Sequence, residues 1–538
     1  MAARILDGGP IALPDIPIMQ QVINSCRKHG DRIYLDDART KKQSTFQEVL
    51  DNAGAISSTL RQLGQGPGKV VIIMSDSTVE ALTTNVGIWF SGAASSSINP
   101  NLPMEEILYF FRTCSCEVVY CGEDYLEKVK EVVSRLDWNI NIICPNRQDE
   151  ALDYYRCLKE GNSAEGIVLE GWWTGKDHAL GVLFTSGTTG APKGVVVRDE
   201  ALTFNTHMKD HWTESSILLL TTPMYWISNA LVNIVTACAG SKIVIACRMS
   251  VKEVMETITE YKPTEWFTSP TILLDICKDE NVDKYDFSSF KALSIGGSVL
   301  LLEHRKMITE KLTGNRHIIR SMYGSTEAGM ISFDSTVPDI DSPKAASIGK
   351  VAKGVELKVG TKVAKVVELK VVDTDTGKIL PPYAIGELCV RSAGLLRRYI
   401  NKKITEEDLD KEGFWHLGDL GYYDDDGYVF YSTRLKDVMK YRGQQIAPAE
   451  LENILQRHPG VLESCVVGKT CIEQGGDLPA AFIIKRPGWN LTEEELHSYI
   501  SENVIDEKKL RGGIFFVDSI PKNPVGKVLR YELKKLLA

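Results

Sequence analysis

The sequence predicts an α/β fold with largely parallel sheets, and three observations predict it. Helix-like and strand-like stretches alternate through the first part of the chain, over 43–63, 69–74, 79–90, 108–113, 118–120, 129–136 and 140–144. A loop rich in glycine and hydroxyls, within 184–197, is bracketed by two apolar runs of strand character. A length of 538 residues exceeds what one core accommodates, so two or more domains are expected.

The first strong helix signal lies at 43–63. Ser44 and Thr45 open it, and Phe46, Val49, Leu50, Ala53, Ile56, Leu60 and Leu63 follow at helical spacing before Gly64 and Gly66 stop it. A strand is predicted over 69–74. Through roughly residue 170 the periodicity is that of core packing, and no catalytic constellation stands out.

The chemistry begins at FTSGTTGAPKGVVV, residues 184–197. Leu180, Val182, Leu183 and Phe184 run into it and Val195, Val196 and Val197 leave it. Between them Gly187, Gly190 and Gly194 free the backbone, Thr185, Ser186, Thr188 and Thr189 supply hydroxyls, and Lys193 supplies a cation. Successive backbone N–H groups and a lysine are equipment for a polyphosphate. The G-x-x-x-x-G-K-[ST] phosphate loop fails here, because Pro192 stands where its second glycine belongs and Gly194 follows Lys193. A plain hairpin turn does not need four hydroxyls and a lysine in ten residues.

This stretch resembles the phosphate-binding signature of the adenylate-forming enzymes: acyl-CoA synthetases, 4-coumarate:CoA ligases, beetle luciferases and the adenylation domains of peptide synthetases. The resemblance extends from about residue 40 to the end of the chain, with five motifs in order. It implies a large N-terminal AMP-binding domain of layered α/β sheets with a β-barrel-like subdomain, residues 1–433, and a small mobile α+β domain, residues 434–538, with the hinge near Lys436.

Beyond the loop, a Pro-centred turn carries Tyr225 and Trp226, followed by an apolar helix and a strand. In the resembled family an aromatic or His residue lines the acyl pocket here. Trp226 takes that place with Tyr225 beside it, where beetle luciferases have His; the bare alternative is two aromatics packed in a core. Two strands then end in 267–271 and 294–298, and Gly296, Gly297 and Ser298 follow the second, where ligands collect in an α/β sheet. The block RSMYGSTEAGM, residues 320–330, matches the family's YG-x-TE motif. The resemblance implies that Tyr323, beside Gly324, stacks on adenine, that Thr326 bonds a phosphate oxygen, and that Glu327 holds the Mg²⁺ accompanying ATP.

KVAKGVELKV at 350–359 and KVAKVVELKV at 362–371 form a near-identical pair, read as a local tandem duplication able to extend a strand pair as a hairpin. WHLGDLGYYDD, residues 415–425, contains Asp419, which by resemblance takes the ribose hydroxyls. In RLKDVMKYRGQQIAPAELENIL the resemblance assigns Arg434 to the ribose, Lys436 to the hinge, and Lys440 with Gly443 to the thioester-forming face. Thr433 stands where most relatives have Asp. Pro448 then opens an amphipathic helix with Leu451 and Ile454. The remaining residues read as a small α+β unit, with strands near 464–468, 480–485 and 513–517 and a helix over 492–504. Asn523, Pro524 and Gly526 present Lys527, which by resemblance steadies the carboxylate and α-phosphate during adenylation.

Composition narrows the partners. With 43% hydrophobic and 25% charged residues the chain is an ordinary globular one. A net charge of −9 without long like-charge blocks argues against nucleic acid. The twelve cysteines include no C-x-x-C pair, so buried, reduced thiols are expected. No apolar run reaches the ~18 residues a membrane span needs. The ends show neither a signal-peptide core nor a terminal S-K-L, so a cytoplasmic monomer or weak oligomer is the expectation.

The activity implied is an ATP-dependent carboxylate:CoA ligase acting on a fatty or aromatic acid, with ATP, Mg²⁺ and coenzyme A. A luciferase is the alternative, adding O₂ to an adenylated luciferin; its motifs are shared and its oxygen chemistry leaves no signal in composition. A non-catalytic binder is disfavoured by Lys193, Glu327, Asp419, Arg434 and Lys527 standing together.

Overall fold

The computed structural model describes residues 3–7, 10–11, 16–145, 151–162, 178–185, 192–205, 212–333, 338–352, 354–355, 357–359, 362–364, 367–392, 395, 398–400, 402–403, 408–441, 444–471, 473, 476–522 and 528–537. Among the described residues two nine-stranded sheets dominate. The first has a parallel centre of Ala94–Ser97, Val70–Met74, Val118–Cys121 and Asn141–Cys144, extended by the antiparallel hairpin Ala179–Thr185 and Lys193–Arg198. The second has a parallel run of Ile319–Ser325, Ala292–Ile295, Glu265–Thr268, Ile217–Leu220, Lys242–Ile245 and Ile33–Asp37.

The alternation of side chains along each strand explains the layering. In Val70–Met74, Val71 and Ile73 enter a core shared with the second sheet, while Val70, Ile72 and Met74 pack on the opposite face against Ile107, Leu108, Leu126 and Val129. The shared core also takes Leu218 and Leu220 of the second sheet, together with the helices Ile18–His29, Phe46–Gln62, Val79–Phe90 and Ile227–Ala239. Leu219 and Val244 point the other way, onto Val251–Tyr261, Pro270–Lys278 and Leu302–Thr313. Five layers result, helices alternating with sheets, as strands buried on both faces require.

One element differs from expectation at its start. Residues Gln43–Thr45 form an edge strand against Ile33–Asp37, and the helix begins only at Phe46. Thr45 is the reason: its Oγ1 accepts from the Glu48 N–H at 3.1 Å, and the Glu48 carboxylate accepts from the Thr45 N–H at 2.8 Å.

An antiparallel five-stranded sheet, Leu6–Asp7, Val367–Val372, Gly386–Ser392, Trp415–Tyr423 and Val429–Arg434, makes the half-barrel part. The duplicated segment divides between structures. Leu357–Val359 pairs with Lys362–Ala364 as a separate two-stranded hairpin, and the second copy continues into Val367–Val372. After Arg434 a single 3₁₀ turn, Leu435–Asp437, leads to Met439–Tyr441 in another sheet, completed by Gln444–Ile446, Val461–Cys471, Gly476–Lys485 and Gly513–Phe516. The helices Pro448–Gln456 and Glu493–Asn503 cover one face of this sheet and Arg530–Lys535 the other. Inside it Arg530 holds the Glu452 carboxylate through one nitrogen, at 2.7 and 2.8 Å from its two oxygens, and Glu452 Oε1 also accepts from the Val466 N–H at 2.8 Å. None of the twelve cysteines is in a disulfide, and ten are buried, among them Cys114, Cys116 and Cys121. Among the described residues no helix is long and apolar enough to cross a membrane.

Candidate active site

In the second sheet the strand order reverses at Ile217–Leu220, which has Lys242–Ile245 on one side and Glu265–Thr268 on the other. Such a reversal leaves a crevice beyond the carboxyl ends of the strands. Several of the residues singled out in the sequence follow those ends. Tyr225 and Trp226 follow Leu220, Gly296, Gly297 and Ser298 follow Ile295, and Tyr323 and Gly324 lie at the carboxyl end of the strand Ile319–Ser325. The Gly296 N–H donates to the Thr268 carbonyl at 3.0 Å, locking adjacent strand ends together. Gly297 has φ +83, a left-handed conformation that glycine takes without a steric penalty. Trp226 precedes the helix Ile227–Ala239, and its Nε1 is buried with no hydrogen-bond partner among the described residues. Burial, assisted by the Asp76 charge, pushes the Tyr225 hydroxyl up to about 12.

The glycine- and hydroxyl-rich stretch is the connection of a hairpin, because Thr185 faces Lys193 across the antiparallel pair Ala179–Thr185 and Lys193–Arg198. Ser186, Gly187, Thr188, Thr189 and Gly190 lie outside the described residues. The base of the loop is held by the Tyr109 hydroxyl, which donates to the Pro192 carbonyl at 3.0 Å. Thr185 Oγ1 donates to Glu327 Oε1 at 3.1 Å, so the start of this loop meets the carboxylate of the TE pair across two sheets. Lys193 Nζ stands 5.4 Å from the centre of the Tyr399 ring. Burial and the nearby Glu327 charge push the Tyr399 hydroxyl up to about 12, so a protonated phenol faces the loop lysine. Thr326, between Ser325 and Glu327, is half-buried.

A second group forms around Asp419, which is 4% exposed. The Tyr323 hydroxyl donates to Asp419 Oδ2 at 2.5 Å, and Arg434 Nε lies 2.8 Å from Oδ1. Asp419 and Arg434 are direct cross-strand partners, which accounts for the second contact. Burial and the adjacent carboxylate hold the Tyr323 hydroxyl well above the ordinary tyrosine range. Burial opposes the Arg434 charge, but the Asp419 and Tyr431 side chains outweigh it and the guanidinium pKa rises. The group is thus a buried carboxylate held by one hydroxyl donor and one guanidinium charge, able to take hydroxyls of a bound sugar. Thr433, buried beside Arg434, pairs with Leu420.

Lys436 lies in the 3₁₀ turn between the antiparallel sheet and the terminal sheet, with its side chain exposed. Lys440 is exposed on Met439–Tyr441, where its N–H donates to Asp477 Oδ2 at 3.4 Å. Gly443 and Lys527 lie outside the described residues. Three residues near these groups have no motif role in the sequence. Tyr399 belongs to no motif, Glu387 sits thirty-two residues before Asp419, and His416 sat inside a recognised block with no role assigned. Only His416 carried a signal, its place three residues before Asp419.

The chain is similar to known proteins along nearly its whole length. The family model described as AMP-binding enzyme matches residues 22–400, and that described as AMP-binding enzyme C-terminal domain matches 450–527. A 4-coumarate-CoA ligase of Narcissus pseudonarcissus is 30% identical over 98% of this chain and 95% of its own. The ATP-bound structure of MatB from Rhodopseudomonas palustris superposes with a TM-score of 0.83 at 21% identity, covering 97% of this chain and 98% of that one. A luciferase-like enzyme from the nonluminescent mealworm Zophobas morio is a more distant neighbour, with a TM-score of 0.70 at 25% identity over 80% of this chain and 99% of its own.

Proposed function

The chain belongs to the AMP-binding enzyme family, and from that premise we propose that it is an AMP-forming ligase joining an aromatic, cinnamate-like acid to coenzyme A. The class of acid rests on the 4-coumarate-CoA ligases that align over nearly the whole chain. The observation that carries the reading is the meeting of Thr185 with Glu327 at 3.1 Å, which puts the hydroxyl-rich loop beside the TE carboxylate.

The reaction needs no protein nucleophile. A carboxylate oxygen of the acid attacks the α-phosphorus of ATP, the bond to the β-phosphate breaks, and pyrophosphate leaves. The sulfur of coenzyme A then attacks the acyl carbon, the thiol proton goes to solvent, and AMP departs. Residues of this chain position the reactants and meet the charge that develops. Thr185, Lys193 and the loop amides grip the phosphates that leave, and Thr326 bonds a phosphate oxygen. Tyr323, Asp419 and Arg434 hold the adenosine, with the strand ends at Gly296–Ser298 and Gly324 admitting it closely. Glu327, a half-buried carboxylate beside a hydroxyl, is the hard oxygen donor Mg²⁺ prefers, and the ion when bound neutralises phosphate charge. Lys527 serves the first half-reaction and Lys440 the second. The segment 434–538 turns about Lys436 between them as the mobile unit, against 1–433 as the body.

The test is a panel of cinnamic, benzoic and fatty acids incubated with ATP, Mg²⁺ and coenzyme A, read as pyrophosphate and CoA thioester. Thioester formation fastest with the cinnamic set is expected. Pyrophosphate release independent of every acid rejects the ligase reading, and light with added luciferin makes it incomplete.

A further inference from the structure

Asp419 owes its position to an irregularity in the strand that carries it. Gly386–Ser392 and Trp415–Tyr423 pair with Glu387 opposite Leu420 and Cys389 opposite His416. One residue separates Glu387 from Cys389 and three separate His416 from Leu420, so Leu417, Gly418 and Asp419 together face Leu388. Bulges of this kind re-aim a side chain next to an active site. Gly418 adopts φ +68 within it, the left-handed region.

A single carboxylate spans the bulge. Glu387 Oε1 accepts from the Gly418 N–H at 3.2 Å, and Oε2 lies 2.8 Å from His416 Nδ1. The Glu387 side chain is 12% exposed and that of His416 45%, so the contact with the Gly418 N–H is the more sheltered from water of the two. His416 Nε2 lies 3.9 Å from Asp410 Oδ2, which puts the imidazole between two carboxylates. Buried Cys389 stands 3.5 Å from His416 Nδ1. Beyond the bulge Asp419 receives Tyr323 and Arg434.

We propose that Glu387 is a positioning residue for nucleotide binding: it braces the Leu417–Asp419 bulge and thereby aims the Asp419 carboxylate at the ribose. The inference rests on the reading of Asp419 as the ribose contact. Removing the brace lets the bulge relax toward regular pairing, and a shift of about 1 Å in a binding carboxylate is worth up to about a hundredfold.

The experiment is a double-mutant cycle on AMP binding, using Glu387→Ala, Asp419→Ala and the double variant in the full chain. Glu387→Ala is expected to weaken AMP about tenfold, and the double variant is expected to bind no more weakly than Asp419→Ala alone. Losses that multiply independently overturn the proposal. Wild-type AMP affinity in Asp419→Ala defeats the ribose reading itself and the proposal with it. Glu387→Gln keeps the volume and the acceptor for Gly418 and guards against misfolding of the alanine variant. It is expected to lose two- to threefold in AMP affinity, an effect of about half a kcal/mol, and to discriminate less between ATP and 2′-deoxy-ATP. Unchanged discrimination counts against the brace. Stoichiometric metal in the purified protein, lost in Glu387→Ala, also overturns it by making the carboxylate a ligand.

Discussion

The hydroxyl of Tyr323 donates to Asp419 Oδ2 at 2.5 Å, tying the end of a strand in the second large sheet to the bulged strand of the antiparallel sheet. A hydrogen bond to a charged group contributes about 1.5–3 kcal/mol. Tyr323→Phe keeps the ring and removes this donor, and is expected to raise the ATP KM about tenfold with a smaller change in kcat. Because the hydroxyl stays protonated well above the usual tyrosine range, the ratio of variant to wild type is expected to be flat from pH 7 to 9. A ratio that closes as pH rises removes the hydroxyl from the donor role.

Glu327→Gln tests the carboxylate that Thr185 contacts. The substitution keeps shape and removes charge, so pyrophosphate exchange is expected to fall about a hundredfold and the Mg²⁺ needed for half-maximal rate to rise. An unaltered Mg²⁺ titration excludes Glu327 as a metal ligand.

Lys527 and Lys440 are expected to divide between the two half-reactions. Lys527→Ala lowers adenylation about a hundredfold while thioester formation from supplied acyl-adenylate persists, and Lys440→Ala does the reverse. Single-turnover measurement of each half-reaction reads the division. Equal losses in both steps for either variant contradict it.

Glu265, 6% exposed at the start of Glu265–Thr268, has its carboxyl raised from 4.5 to about 7 by burial, against the pull of Arg320 and Lys291. The folded state therefore holds this proton more tightly than the unfolded state. Stability from this group is fully present below pH 4.5, and it declines as pH rises to about 7. Glu265→Gln is expected to leave stability at pH 4.5 nearly unchanged and to raise it at pH 8, by about 3 kcal/mol at most. Denaturant unfolding at the two pH values measures the difference, and equal effects at both contradict the assignment.

What the sequence determined by itself is local. The capping box of Thr45 and Glu48, Pro448 at the first turn of its helix, the two-residue alternation of Val70–Met74 and the hairpin loop before Lys193 all depend on near neighbours in the chain. The motifs that identify the family are of the same kind. Tertiary structure alone decided which of them meet. Thr185 and Glu327 stand 142 residues apart in sequence, and Tyr323 and Asp419 stand 96 apart. Their contacts follow from strand order and from the packing of two sheets on one shared helical layer. Glu387 shows the limit most clearly. A glutamate in a strand carries no pattern of its own, and its part follows from a register shift that only the pairing of two distant strands creates.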